Sequence, residues 1–184
     1  GSTVDFALPE RRADAVVTSA LTWTGAQTGR WFAWVHVFDP HAPYQAPEEF
    51  ARRYPNDPYA AEVAWTDYAL GPLFDRLASL SRKTLVVVTS DHGESLGEHG
   101  ELTHGIFAYE ATLHVPLVLW GTGVPAGGHR DAARHVDIAP TILSAARAAV
   151  PKDLPGCSLL GSGAMEADEP SYFEALDASL TRGW

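Results

Sequence analysis

The stretch "TLVVVTSDHGESLGEHGELTHG", residues 84–105, places an acid and an imidazole directly after a β-forming run. A carboxylate beside an imidazole is a ligand pair for a divalent cation such as Zn or Mn. Adjacent residues of an extended strand point to opposite faces. Asp91 and His92 can therefore share an ion only if the strand has ended before them, and Gly93 permits the turn that swings both to one side. Two ligands are fewer than the roughly three that an open catalytic zinc takes from protein. Taken alone, Asp-His-Gly is better read as a turn-capping Asp next to an exposed His; the surrounding sequence changes that balance.

Pieces far apart must position this pair. The spacing of Ala15, Val16, Ala20, Leu21 and Trp23 predicts a helix over 9–28, with Pro9 near its start. "WFAWVHVF", 31–38, reads as a strand buried on both faces and stopped by Asp39-Pro40. "HAPYQAPEEF" reads as proline-broken loop. Val63, Leu70, Phe74 and Leu77 predict a helix over 57–81, with a kink or break at Gly71-Pro72. Strands follow at 84–89 and 115–121, with a short helix at 106–112. Asp137 is placed to cap a helix carrying Ile138, Ile142, Ala145 and Ala149, and "SYFEAL" at 171–176 reads as one more strand. Apolar strands separated by helices imply an α/β fold, a three-layer α/β/α sandwich with a mainly parallel sheet. Ligands of such sheets sit beyond the carboxyl ends of strands. Parallel strands would thus gather Asp39-Pro40-His41 and Ser90-Asp91-His92 on one edge.

Composition narrows the chemistry. The 184 residues are 46% apolar and 20% charged, with 13 Lys+Arg against 23 Asp+Glu. That is ordinary globular composition with the wrong sign for a phosphate-backbone binder, so no nucleic-acid partner is expected. A solvated acidic surface accounts for most of the charge. The single Cys157 excludes an internal disulfide framework. No apolar run is long enough to span a bilayer.

"HVFDPHAPY", "TLVVVTSDHGESLGEHGELTHG", "VPLVLWG", "HVDIAPTIL" and "LPGCSLL" occur in the order and spacing of sulfatases, and the chain from about Trp31 to Trp184 resembles the sulfatase branch of the alkaline phosphatase superfamily. The resemblance implies an incomplete alkaline-phosphatase-like fold, with residues 1–184 forming one partial catalytic domain. It implies that Asp91 and His92 are two ligands of one divalent metal (Ca, Mn, Zn or Mg). His41 would touch the sulfuryl or phosphoryl oxygens, and His104 the transferred group or the leaving oxygen. Glu94 would stand behind His92 or a loop amide, and His99 would be a rim residue. His36 is expected to be a hydrogen-bonded core histidine; His114 and His135 receive no chemistry, and Asp137 is structural.

The family's nucleophile motif, Cys- or Ser-x-Pro-x-Arg with the first residue oxidised to formylglycine, has no match in this sequence. Cys157, followed by Ser158-Leu159-Leu160-Gly161, reads as a small loop or core residue. The paired aspartates that complete the family's metal site, and the arginine beside its nucleophile, have no counterparts either. The chain is therefore expected to be a piece of a sulfatase-like protein, inactive alone, whose formylglycine lies in a missing segment. The substrate class is a small anionic sulfate ester, or a phosphate ester cleaved by a phosphodiesterase, phosphonate hydrolase or phosphoryl transferase of the same superfamily. A non-catalytic binding module is the alternative from another class. A sheet edge lacking its neighbour is expected to drive self-association.

Overall fold

The computed structural model describes residues 10–105, 107–127, 133–160 and 171–173. These fall into two compact units, divided after Ser81.

The first unit is built on α3 (Pro58–Ala78). Asp57 caps it, its carboxylate accepting from the Ala60 N–H at 2.9 Å, and Pro58 fills the first turn, where no N–H is needed. Ala61, Glu62, Trp65, Thr66, Ala69 and Leu73 recur at helical spacing and form its buried stripe. Against α3 pack α1 (Ala13–Ala26) and the short α2 (Glu48–Arg53). Ala13, Phe50, Trp65 and Ala69 make the core, with Val37, Ala46 and Ala64 against it. The Phe50 and Trp65 rings meet edge-on at 5.6 Å. Burying side chains of this size stabilises by about 1.5–3 kcal/mol each.

The structure departs from expectation at four places here. Of the kink or break expected at Gly71-Pro72, the break does not occur, since α3 runs through both. The buried neighbours Ala69 and Leu73 hold the helix on either side, and the carbonyl that Pro72 cannot serve belongs to Tyr68, on the solvent side of the helix. Residues 31–38 are not a strand, because among the described residues no chain pairs with them. Their burial alternates: Phe32, Trp34 and His36 are exposed, while Trp31, Ala33, Val35 and Val37 are half-buried. His36 is thus a surface residue and not a core histidine. Helix α2 replaces the end of the loop expected at 41–50; its six residues follow Pro47 immediately.

In the second unit, β1 (Leu85–Thr89) pairs antiparallel with β2 (Leu117–Gly121), Val87 opposite Leu119. The expected parallel arrangement concerns a whole sheet; the one pair described among these residues runs the other way. Gly121 has a φ of 128°, and a Cβ there would lie 2.1 Å from the Thr84 carbonyl oxygen, so only glycine lets the strands close at this end. Helix α4 (Glu110–Leu113) precedes β2, and α5 (Ile138–Ala146) packs on β1 after a 3-10 turn at His135–Asp137. Residues 171–173 carry no strand; the rest of the strand expected at 171–176 lies outside the described residues, as does Pro9.

Candidate functional site

Strand β1 stops at Thr89, so Asp91 and His92 lie past its end, as sharing one ion requires. The corner is pinned from three directions. The Ser90 hydroxyl donates to the His92 carbonyl. His135 Nε2 donates to the Ser90 carbonyl at 2.8 Å, which places the proton of that ring on Nε2. The Gly93 N–H donates to the Thr112 carbonyl at 2.8 Å, and a Cβ at 93 would stand 2.2 Å from the Ala111 oxygen. Glycine at 93 is required by this close approach of α4.

On that corner Asp91 is 79% exposed, and its Oδ2 lies 3.8 Å from His92 Nε2. His92 Nδ1 donates to the Gly93 carbonyl at 2.8 Å. A ligating histidine commonly has its second nitrogen tied to a carbonyl in this way, leaving Nε2 to coordinate. The donor types and the tautomer therefore fit a divalent cation, and Asp91 and His92 would hold it. Among the described residues no group of three or more His, Cys, Asp or Glu is arranged to hold a metal ion, so the pair would supply part of a coordination shell only.

The His104 ring stacks on His92, centroids 3.8 Å apart and planes 29° inclined. Its Nδ1 lies 3.0 Å from Glu94 Oε1 and 3.3 Å from the Thr103 hydroxyl. The Glu94 side chain is only 6% exposed. A buried carboxylate needs a donor, and the Nδ1–H of His104 supplies one. Glu94 thus contacts His104, which the expectation of a role behind His92 or a loop amide did not name. His99, expected at the rim, is exposed in the left-handed region (φ 57°), its ring stacked on Tyr109 at 4.0 Å. The loop between is held by Ser95, whose buried hydroxyl reaches the Glu101 carbonyl at 2.9 Å, and by Glu98, which accepts from the Leu96 N–H at 2.7 Å. Hydrogen bonds from its own N–H and from that of Leu96 hold the Glu98 carboxyl below its ordinary value.

His41 belongs to the first unit. Its Nδ1 donates to the Ala42 carbonyl at 2.7 Å, and its ring lies on Phe38 at 4.2 Å. Its backbone N–H donates to Glu62 Oε2 and that of Gln45 to Glu62 Oε1, both at 3.0 Å. Asp39 accepts from the Ala13 N–H at the start of α1, and Arg12 donates to the Gln45 carbonyl at 3.1 Å. Sequence reasoning missed Glu62 and His135. A signal for Glu62 existed: an acid sits on the same helical stripe as Trp65, Ala69 and Leu73, where an unpaired charge would be costly. For His135, 45 residues from its partner, spacing carries no signal.

The family model described as Sulfatase matches residues 6–148. Arylsulfatase K of Mus musculus is 42% identical over 105 residues, 55% of this chain and 19% of that protein. The low-salt glycan biosynthesis sulfotransferase Agl7 of Haloferax volcanii is 37% identical over 134 residues, 60% of this chain and 32% of that protein. A solved structure, that of a putative sulfatase from Bacteroides thetaiotaomicron, superposes with a TM-score of 0.57 at 16% identity, covering 86% of this chain and 48% of the other. The chain thus spans a fifth to about half the length of these proteins, and the structural likeness gives the fold: an incomplete α/β domain of alkaline-phosphatase type.

Proposed function

Because the chain belongs to the sulfatase family, we propose that residues 1–184 are a partial catalytic domain of a metal-dependent sulfuric ester hydrolase. Asp91 and His92 are two ligands of one divalent cation (Ca, Mn, Zn or Mg), His92 binding through Nε2. A cation held there would polarise the ester oxygens as a Lewis acid. His104, its Nδ1 committed to Glu94, carries the acid–base role on Nε2 and hands a proton to the departing alcohol. His41 contacts the nonbridging oxygens of the anion. The observation that carries the reading is the stacked His92–His104 couple, in which each Nδ1 is committed to an acceptor and Nε2 is the nitrogen suited to coordination or proton transfer.

No residue of this chain matches the nucleophile motif, so formylglycine is assigned to sequence outside it, and the chain alone binds metal weakly without turnover. Exposed Phe32 (64%) and Trp34 (84%) support self-association, which light scattering reads directly; a strict monomer at high concentration removes that part. Calorimetric titration with Ca, Mn and Zn tests the centre. Heat of binding is expected for the native chain and lost in both D91A and H92A; binding that survives both substitutions ends the metal assignment. The Haloferax relative, named a sulfotransferase, favours a second reading in which the sulfuryl unit passes to an acceptor hydroxyl. A phosphate ester is the remaining substrate alternative. A protein completed with a nucleophile segment, given 4-nitrophenyl sulfate or 4-nitrophenyl phosphate with and without an added alcohol, separates the three.

A further inference from the structure

We propose that Glu62 is the positioning residue of His41. Glu62 is 4% exposed, and each carboxylate oxygen accepts a backbone N–H of the loop, one from His41 and one from Gln45. Two convergent amides aimed at one carboxylate form the kind of concavity that elsewhere binds a free anion; here the anion is built into α3. The arrangement satisfies a charge whose burial would otherwise be prohibitive, and charge-assisted bonds of this type are stronger than neutral ones. Arg12 on the Gln45 carbonyl and Asp39 on the start of α1 tie the same loop at its two ends. With the backbone of residue 41 fixed and its Nδ1 spent on Ala42, the imidazole has its orientation set before any substrate arrives. The functional half of this inference rests on the reading of His41 as an anion contact.

The test uses the whole chain. In the native protein, NMR couplings across hydrogen bonds are expected from the His41 and Gln45 amides to the Glu62 carboxyl carbon; their absence overturns the proposal even if no variant folds. Glu62→Gln keeps the shape but turns an NH2 toward one of two donors. One amide should then exchange about tenfold faster or more, and the His41 ring resonances should broaden. Sodium sulfate is the probe of positioning, followed on the His41 ring. Apparent affinity should fall about tenfold in E62Q while the Trp65 thermal transition still marks a folded unit. Unchanged sulfate affinity in E62Q overturns the role of Glu62 and leaves the His41 reading intact. No response of the native His41 ring to sulfate overturns that reading and the functional half of the inference with it, while the couplings still report on the geometry.

Discussion

Around Asp137 the carboxylate is fully buried and well provided with donors. Oδ2 takes the Arg134 N–H at 2.8 Å, and Oδ1 takes the Cys157 N–H at 2.9 Å and the Arg134 guanidinium at 3.2 Å. Around Asp91 the carboxylate faces solvent, and its described hydrogen bond comes from the next residue's N–H, at 3.2 Å. Both aspartates stand where a regular element meets a turn. The first is spent on the fold: it joins the turn before α5 to the segment of Cys157, and it does not cap its own helix. The second contributes little to the fold and keeps its oxygens accessible, which is what a ligand needs. A satisfied acid is structural, whereas an accessible acid beside an oriented imidazole is available for chemistry.

Loss of the buried Asp137 carboxylate should destabilise the chain most. Asp137→Ala leaves Arg134 and the Cys157 N–H without their carboxylate, and removing one partner of a buried pair costs about 3–5 kcal/mol. Asp91→Ala should shift stability by no more than about 0.5 kcal/mol, as surface changes do. Paired thermal or urea melts check both, and equal losses would end the distinction. Next in size is Gly93→Ala. Its methyl would meet the Ala111 carbonyl oxygen, so the corner or α4 must move, at about 2–3 kcal/mol by overpacking. Metal binding should weaken with it although neither proposed ligand is touched. Full metal affinity in a folded G93A chain would show that this corner does not position the pair.

How much of this was legible in the sequence follows from the range of the interactions. Asp91, His92 and His104 sit in one loop, and it was the family resemblance of that loop, more than residue types and spacing alone, that marked them as candidates. The strands at 85–89 and 117–121 and the helix at 58–78 followed from local apolar patterns. Residues 31–38 did not, because a strand is a property of two chains: the apolar run specified an extended segment, and pairing depends on a neighbour that the run does not contain. At Gly71-Pro72 the helix continues without a break, since packing at Ala69 and Leu73 outweighs a local breaker. Glu62 and His135 act on backbone groups 17–45 residues away, where side-chain spacing is silent.

A smaller effect sharpens the comparison inside the site. The Glu94 side chain is buried like that of Asp137, and its oxygen faces the His104 ring at 3.0 Å. Glu94→Ala should cost at least about 1.5 kcal/mol, with the charge-assisted hydrogen bond to His104 among the losses. It should also release His104 Nδ1, so that the tautomer with the proton on Nε2 gains population. Nitrogen-15 shifts of the His104 ring read this directly. A ring whose tautomer is unchanged in E94A would make Glu94 a packing residue, and the contrast with Asp137 would vanish.

The smallest effect is a dependence on acid. Burial pushes the Asp137 carboxyl up, but the Arg134 side chain, the backbone N–H groups of Cys157 and Arg134, and the Arg134 charge together outweigh it and hold the group below its ordinary 3.8. A carboxyl depressed in the folded state stabilises fully above its unfolded value, and that contribution is lost as pH falls through the folded value. Melting temperature should therefore be insensitive to this group near neutrality and decline below about pH 4. Glu98, also held low, acts in the same direction. Asp137→Asn removes the titrating group, so its melting temperature, lower throughout, should fall less steeply over the same interval once E98Q has been used to subtract the Glu98 share. A D137N chain with the native slope would mean that the Arg134–Asp137–Cys157 cluster does not stabilise the charged form, and the assignment of Asp137 to the fold would then rest on burial alone.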